Sequence, residues 1–193
     1  MTDYAIVDTH HHFLPPEAVK YAKKTEDGDY TFILGRFSVA SRLMQEVEKT
    51  LAYMEACGIQ MALLSIGAWI PNGLETCRAI NDGYAKIQRE YPGKFITCAH
   101  VPVHQRAEAM DELKRSMEVL GLQGIALITS YAHMTIDSDE MMPFYERISG
   151  TYRVPLVVHP TLRRPLWGGV KYDLSTTLSR EYDIAKCVVE ILY

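Results

Sequence analysis

The stretch VDTHHHF, Val7 to Phe13, sets three imidazoles in a row. Side chains on an extended strand alternate between faces, so His10 and His12 point one way and His11 the other. Two imidazoles on one face, two residues apart, can be bridged by a single cation. Far along the chain, VPLVVHP ends a second apolar run on His159. If both runs are parallel strands of one sheet, the three imidazoles share its C-terminal rim, where α/β folds bind their ligands. Such a set suits one divalent metal, most simply zinc. Two other readings compete for the triplet: a tag remnant, or surface histidines hydrogen-bonded at a loop start. A tag runs longer and lies outside folded apolar sequence. The loop-start reading leaves His159 as a coincidence.

The elements that must position these residues follow from periodicity. Short apolar runs read as strands at Ala5 to Val7, Met61 to Ile66, Phe95 to Val101, Gly124 to Ile128 and Val154 to His159. Apolar stripes at helical spacing lie between them: Leu43, Val47, Leu51, Met54; Ile80, Tyr84, Ile87, Tyr91; and Ala107, Met110, Leu113, Met117, Leu120. Met141, Phe144 and Ile148 predict a fourth helix and Leu178 to Leu192 a fifth, capped by Ser175 or Thr176. Gly58, Pro92-Gly93 and Gly121 stop helices where strands begin. The order is β-α repeated about five times, with strands apolar on both faces as a covered parallel sheet requires. The segment from Pro15 to Val39 is the least regular and reads as a long β-to-α connection. Five units fit either an open doubly wound sheet or part of an eight-stranded barrel, which needs about 250 residues.

The chain has 193 residues, a net charge of −4 and 48% hydrophobic residues, which predicts one domain over 1–193 with a real core. No basic footprint points to nucleic acid or an anionic membrane. No apolar run approaches the roughly 20 residues that span a bilayer. MTDYAIVD has no signal-peptide pattern. The four cysteines, Cys57, Cys77, Cys98 and Cys187, are scattered and form no CxxC pair, so reduced thiols in a cytoplasmic protein are expected.

VDTHHHF resembles the V-D-x-H-x-H opening of the amidohydrolase superfamily, in its amidohydrolase 2 family, whose members include aminocarboxymuconate semialdehyde decarboxylase and resorcylate decarboxylases. MEACGIQMALLSI is similar to that family's M-D-x-x-G-I-x-x-x-x-L-S stretch, and PLVVHP and YDLSTTLSREYDIAKCVV extend the likeness along nearly the whole chain. The resemblance implies a partial (β/α)8 barrel and one catalytic divalent metal held by His10, His12 and His159. It also implies an enzyme, a hydrolase or non-oxidative decarboxylase of a small aromatic or unsaturated carboxylic acid. Asp8 would orient a ligand or cap the backbone. The fourth strand, GIALI, carries no lysine that could bridge a second metal. Histidinol-phosphatase-type enzymes also open on HxH, but their further ligands have no pattern here.

The family's acid/base histidine on strand six and aspartate on strand eight have no counterpart before Tyr193, so the catalytic residues are unassigned and a truncated chain is expected. A non-catalytic barrel with a metal-binding or assembly role is the alternative. Bare edges on the first and fifth strands would be covered by a further C-terminal portion or by another copy in a homo-oligomer. By likeness to a family relative's arginine, Arg36 in TFILGRFSV is a candidate to hold the carboxylate of a small-molecule substrate, or a solvated loop residue; Arg163 and Arg164 after His159 could bind an anion or be surface charge, and Trp167 could wall a planar substrate or pack its loop. Trp69 could wall the site or pack its loop. His100 ends strand three and faces either the site or local partners, while His104 and His133 read as loop residues.

Overall fold

The structure is a computed structural model that describes residues 4–24, 30–32, 39–40, 42–131, 134–161 and 178–192. Arg36, His133, Arg163, Arg164, Trp167 and the expected caps Ser175 and Thr176 lie outside the described residues.

A parallel sheet of five strands organises the chain: β1 (Ile6–His12), β2 (Ile59–Ser65), β3 (Phe95–His100), β4 (Gly124–Ile128) and β5 (Leu156–His159). Their spatial order is their chain order, and each strand pairs in parallel with the one before it. The helices between them are α1 (Val47–Ala56), α2 (Leu74–Glu90), α3 (Arg106–Lys114) and α4 (Met142–Arg147), with α5 (Leu178–Leu192) after β5. Both α3 and α4 run on into a π-helical turn, Arg115–Val119 and Ile148–Tyr152. The five β-α units read from periodicity are therefore present.

The sheet curls into half of a barrel. A flat sheet would hold β1 and β5 four strand spacings apart, roughly 19 Å. The His10 and His159 ring centroids are instead 5.7 Å apart. The core fills the space between sheet and helices. Leu64, Ile80, Tyr84, Cys98, Leu113, Ile125 and Phe144 are essentially inaccessible to solvent. Gly58 and Gly121 end α1 and the α3 extension with φ of 68° and 70°, the left-handed conformation expected of them.

Two expectations need correction. β1 is not apolar on both faces in the way of a covered strand: Ile6 and Val7 are exposed, because β1 is the last strand of the sheet among the described residues. The Pro15 to Val39 connection is more regular than expected. It holds a 3-10 turn, Pro16–Tyr21, and two strands (Ala22–Lys24 and Tyr30–Phe32) of a small antiparallel sheet completed by Val39–Ala40. Strands of two or three residues are too short to show an alternation. Of the two readings of Trp69, the structure gives packing of its loop: it is fully buried in the 3-10 turn Gly67–Asn72 and belongs to the core.

Candidate metal centre

His10 and His12 stand at the C-terminal end of β1, His10 within a register irregularity between Asp8 and His11 and His12 just past it. His159 is the last residue of β5. One ligand-capable nitrogen from each of the three lies within 4.8 Å of the others. The Nε2 atoms of His10 and His12 are 3.2 Å apart. Two nitrogens on one tetrahedral zinc stand roughly 3.4 Å apart, given bonds of about 2.1 Å. The separation therefore fits a shared cation.

The tautomers fit as well. His12 Nδ1 donates to the Ser65 carbonyl at 2.9 Å, and His159 Nδ1 donates to the Pro160 carbonyl at 2.9 Å. A carbonyl can only accept, so each Nδ1 carries the proton and each Nε2 keeps its lone pair. An imidazole that ligates through one nitrogen and donates from the other to a carbonyl is the usual arrangement of a metal-binding histidine. Both side chains are held neutral. Burial pushes His159 down to about 4, aided by the charge of His12, against the Pro160 carbonyl. Burial lowers His12 too, opposed by the Ser65 carbonyl and helped by His10, His11 and Arg180.

His159 needs space that one glycine provides. A Cβ on Gly67 would stand 2.9 Å from His159 Cβ. Real Cβ atoms do not approach so closely, so a side chain there displaces the imidazole. The chain after His12 is fixed by α2: Tyr84 Oη donates to the Phe13 carbonyl at 2.7 Å, and Gly83 lets Pro15 lie directly on the helix. On the same C-terminal rim, Asp183 of α5 accepts from the Thr161 amide at 2.7 Å and from the Thr129 hydroxyl, joining the ends of β4 and β5.

Other candidates take local roles. Asp8 accepts from the His10 amide at 3.0 Å and bonds His11 Nδ1 at 3.0 Å, so it caps the backbone and holds His11, not one of the three clustered imidazoles. His100 is fully buried between the Cys98 carbonyl and the Ile66 amide. His104 lies in the 3-10 turn Val103–Gln105, stacked near Tyr131. Sequence reasoning missed Ser65, Gly67 and Asp183. A backbone acceptor leaves no trace in residue type, and a glycine after a strand reads as an ordinary turn.

The profile of the amidohydrolase family matches residues 7–184. The chain belongs to the amidohydrolase family. Among curated amidohydrolase relatives, gamma-resorcylate decarboxylase of Rhizobium sp. (strain MTP-10005) is 29% identical over 167 residues, 83% of this chain. The match covers 45% of that protein, so the chain spans about half the length of the curated relatives it matches. Two solved structures share the fold. The 5-carboxyvanillate decarboxylase from Sphingomonas paucimobilis superposes with a TM-score of 0.77 at 21% identity, over 97% of this chain and 62% of that one. The dihydroxybenzoic acid decarboxylase from Polaromonas sp. JS666, with bound manganese and the inhibitor 2-nitroresorcinol, gives 0.71 at 19% identity, over 97% and 60%.

Proposed function

We propose that this chain supplies the metal-binding half of a non-oxidative decarboxylase acting on a small aromatic or unsaturated carboxylic acid. The observation that carries the reading is the convergence of three imidazoles from β1 and β5 in a member of the amidohydrolase family. The gamma-resorcylate, 5-carboxyvanillate and dihydroxybenzoate decarboxylases to which it is similar favour decarboxylation over hydrolysis.

His10, His12 and His159 would hold one divalent cation. Imidazole donors suit zinc, and manganese is the competitor that the Polaromonas protein introduces. When bound, the cation supplies a Lewis acid that holds substrate oxygens and offsets developing negative charge. The chain's own contribution is preorganisation. Ser65 and Pro160 fix the two tautomers, and burial keeps His12 and His159 neutral. In decarboxylation the bond to the carboxylate carbon breaks, carbon dioxide leaves and the carbon left behind takes a proton. Arg36, Arg163 and Trp167 are the candidates for gripping the carboxylate and ring. Four free cysteines suit a reducing compartment such as the cytoplasm, and no helix among the described residues is long and apolar enough to cross a membrane.

Elemental analysis tests the site. The purified chain should carry about one equivalent of divalent metal, and His12→Ala should lose it. Full occupancy in His12→Ala sinks the assignment. One observation favours a second reading, in which this chain binds metal without turnover. Among the described residues no carboxylate joins the three imidazoles. Carbon dioxide release from hydroxybenzoates, with zinc or manganese added, separates the two.

A further inference from the structure

The peptide group between Ser65 and Ile66 stands between two imidazoles. Its carbonyl accepts from His12 Nδ1 at 2.9 Å, and its amide donates to His100 Nε2 at 2.9 Å. A peptide is planar, so one rigid plate carries both bonds, and tilting it breaks both. His100 has no freedom to follow such a tilt. Its Nδ1 donates to the Cys98 carbonyl at 2.9 Å, which makes Nε2 an acceptor and fixes the ring. Its own backbone is clamped by Asn81, which accepts from the His100 amide at 2.7 Å and donates to the His100 carbonyl at 3.0 Å. Asn81 in turn donates to the buried carboxylate of Glu112 at 2.7 Å. The next residue, Gly67, lies against His159. One short segment therefore backs two of the three clustered imidazoles, and His100 sets its orientation.

We infer that His100 is a positioning residue for the metal centre, acting through the Ser65–Ile66 peptide on His12 and through Gly67 on His159. The inference rests on the metal reading above. It predicts that metal affinity, not only stability, depends on a hydrogen-bond acceptor at the position of His100 Nε2. Groups that orient a metal-binding histidine typically change affinity by 10–100-fold when lost.

Titration of the full chain with cobalt(II), followed by its visible absorption band, tests this. His100→Gln keeps an acceptor within reach of the Ile66 amide and should bind within about threefold of the wild type with the same band. His100→Asn is polar but too short to reach, and should bind at least about tenfold more weakly with an altered band. Gly67→Ala approaches the same segment from the other side. Its φ is not positive, so alanine is allowed by the backbone, and the displaced His159 should weaken cobalt binding to a similar extent. Gly67→Ala also stands in if His100→Asn does not fold. Wild-type affinity and spectrum in folded His100→Asn or in folded Gly67→Ala overturn the inference. His12→Ala separates the two levels of the argument. If it binds cobalt as the wild type does, the metal reading itself has failed. If it does not bind while His100→Asn does, only the positioning role has failed.

Discussion

At the scale of single residues, His12, His100 and His159 at the centre of the molecule are kept uncharged chiefly by burial. His100 is pushed down from 6.5 to about 4 chiefly by burial, with the His12 and His159 charges adding and the Cys98 carbonyl opposing. A group depressed in the folded state gives stability that is fully present above its unfolded value. That stability is lost as pH falls, because the unfolded chain takes up the proton first. The metal-free protein should therefore lose stability progressively from about pH 6.5 towards pH 4, on the order of 3 kcal/mol from His100 alone. Urea denaturation across that range measures it. His100→Gln should flatten the slope without abolishing it, since His159 acts in the same direction. A slope unchanged by His100→Gln would contradict the assignment. Bound metal should steepen the acid loss, because protons compete for the ligating nitrogens.

At the scale of elements, α2 and α3 are joined by a buried carboxylate. Glu112 is inaccessible to solvent, and it accepts from Arg115, Arg78, Asn81 and Ser116. Burial raises its pKa, but Arg115, Asn81 and Arg78 outweigh burial and hold it below the ordinary carboxylate value. Removing it with Glu112→Ala takes an acceptor from Asn81 and leaves Arg115 with Asp82 and Arg78 with Glu75 as their remaining counter-charges. The expected cost is about 3 kcal/mol, at the low end for a broken buried pair because both arginines keep partial access to water. Arg78→Ala should cost under about 1 kcal/mol, since that half of the pair is more exposed. Equilibrium unfolding of the two variants checks the ranking. The helices and the five main strands were legible in sequence because their apolar residues recur at 3.6 or run continuously. The π-helical turn Arg115–Val119 was not, since it continues the helical stripe with Met117. The convergence of the three imidazoles was legible because histidine is a rare residue with a directional lone pair. Its support was not, because Ser65 acts through its carbonyl, Gly67 through the absence of a side chain, and His100 through a tautomer set by Cys98.

At the scale of the whole molecule, β1 presents an outer edge with no strand beside it among the described residues. Tyr4, Ile6 and Val7 are exposed along it, and α5 shows Val188, Val189, Ile191 and Leu192 to solvent. Apolar strand edges template pairing with further chain. The purified chain should self-associate in a concentration-dependent way in sedimentation velocity. Ile6→Lys should shift it towards monomer, because a lysine on an open edge opposes strand addition. No effect of Ile6→Lys on the sedimentation profile would place the sticky surface elsewhere.

The three imidazoles come from the two outermost strands of the sheet, β1 and β5. An ion seated between them would act as a tie-rod across an arch: it pulls on the two feet, and the strands between carry the thrust. Stripping the ion would let the span relax, so how tightly the sheet is bowed and how well the ion is gripped become one mechanical quantity.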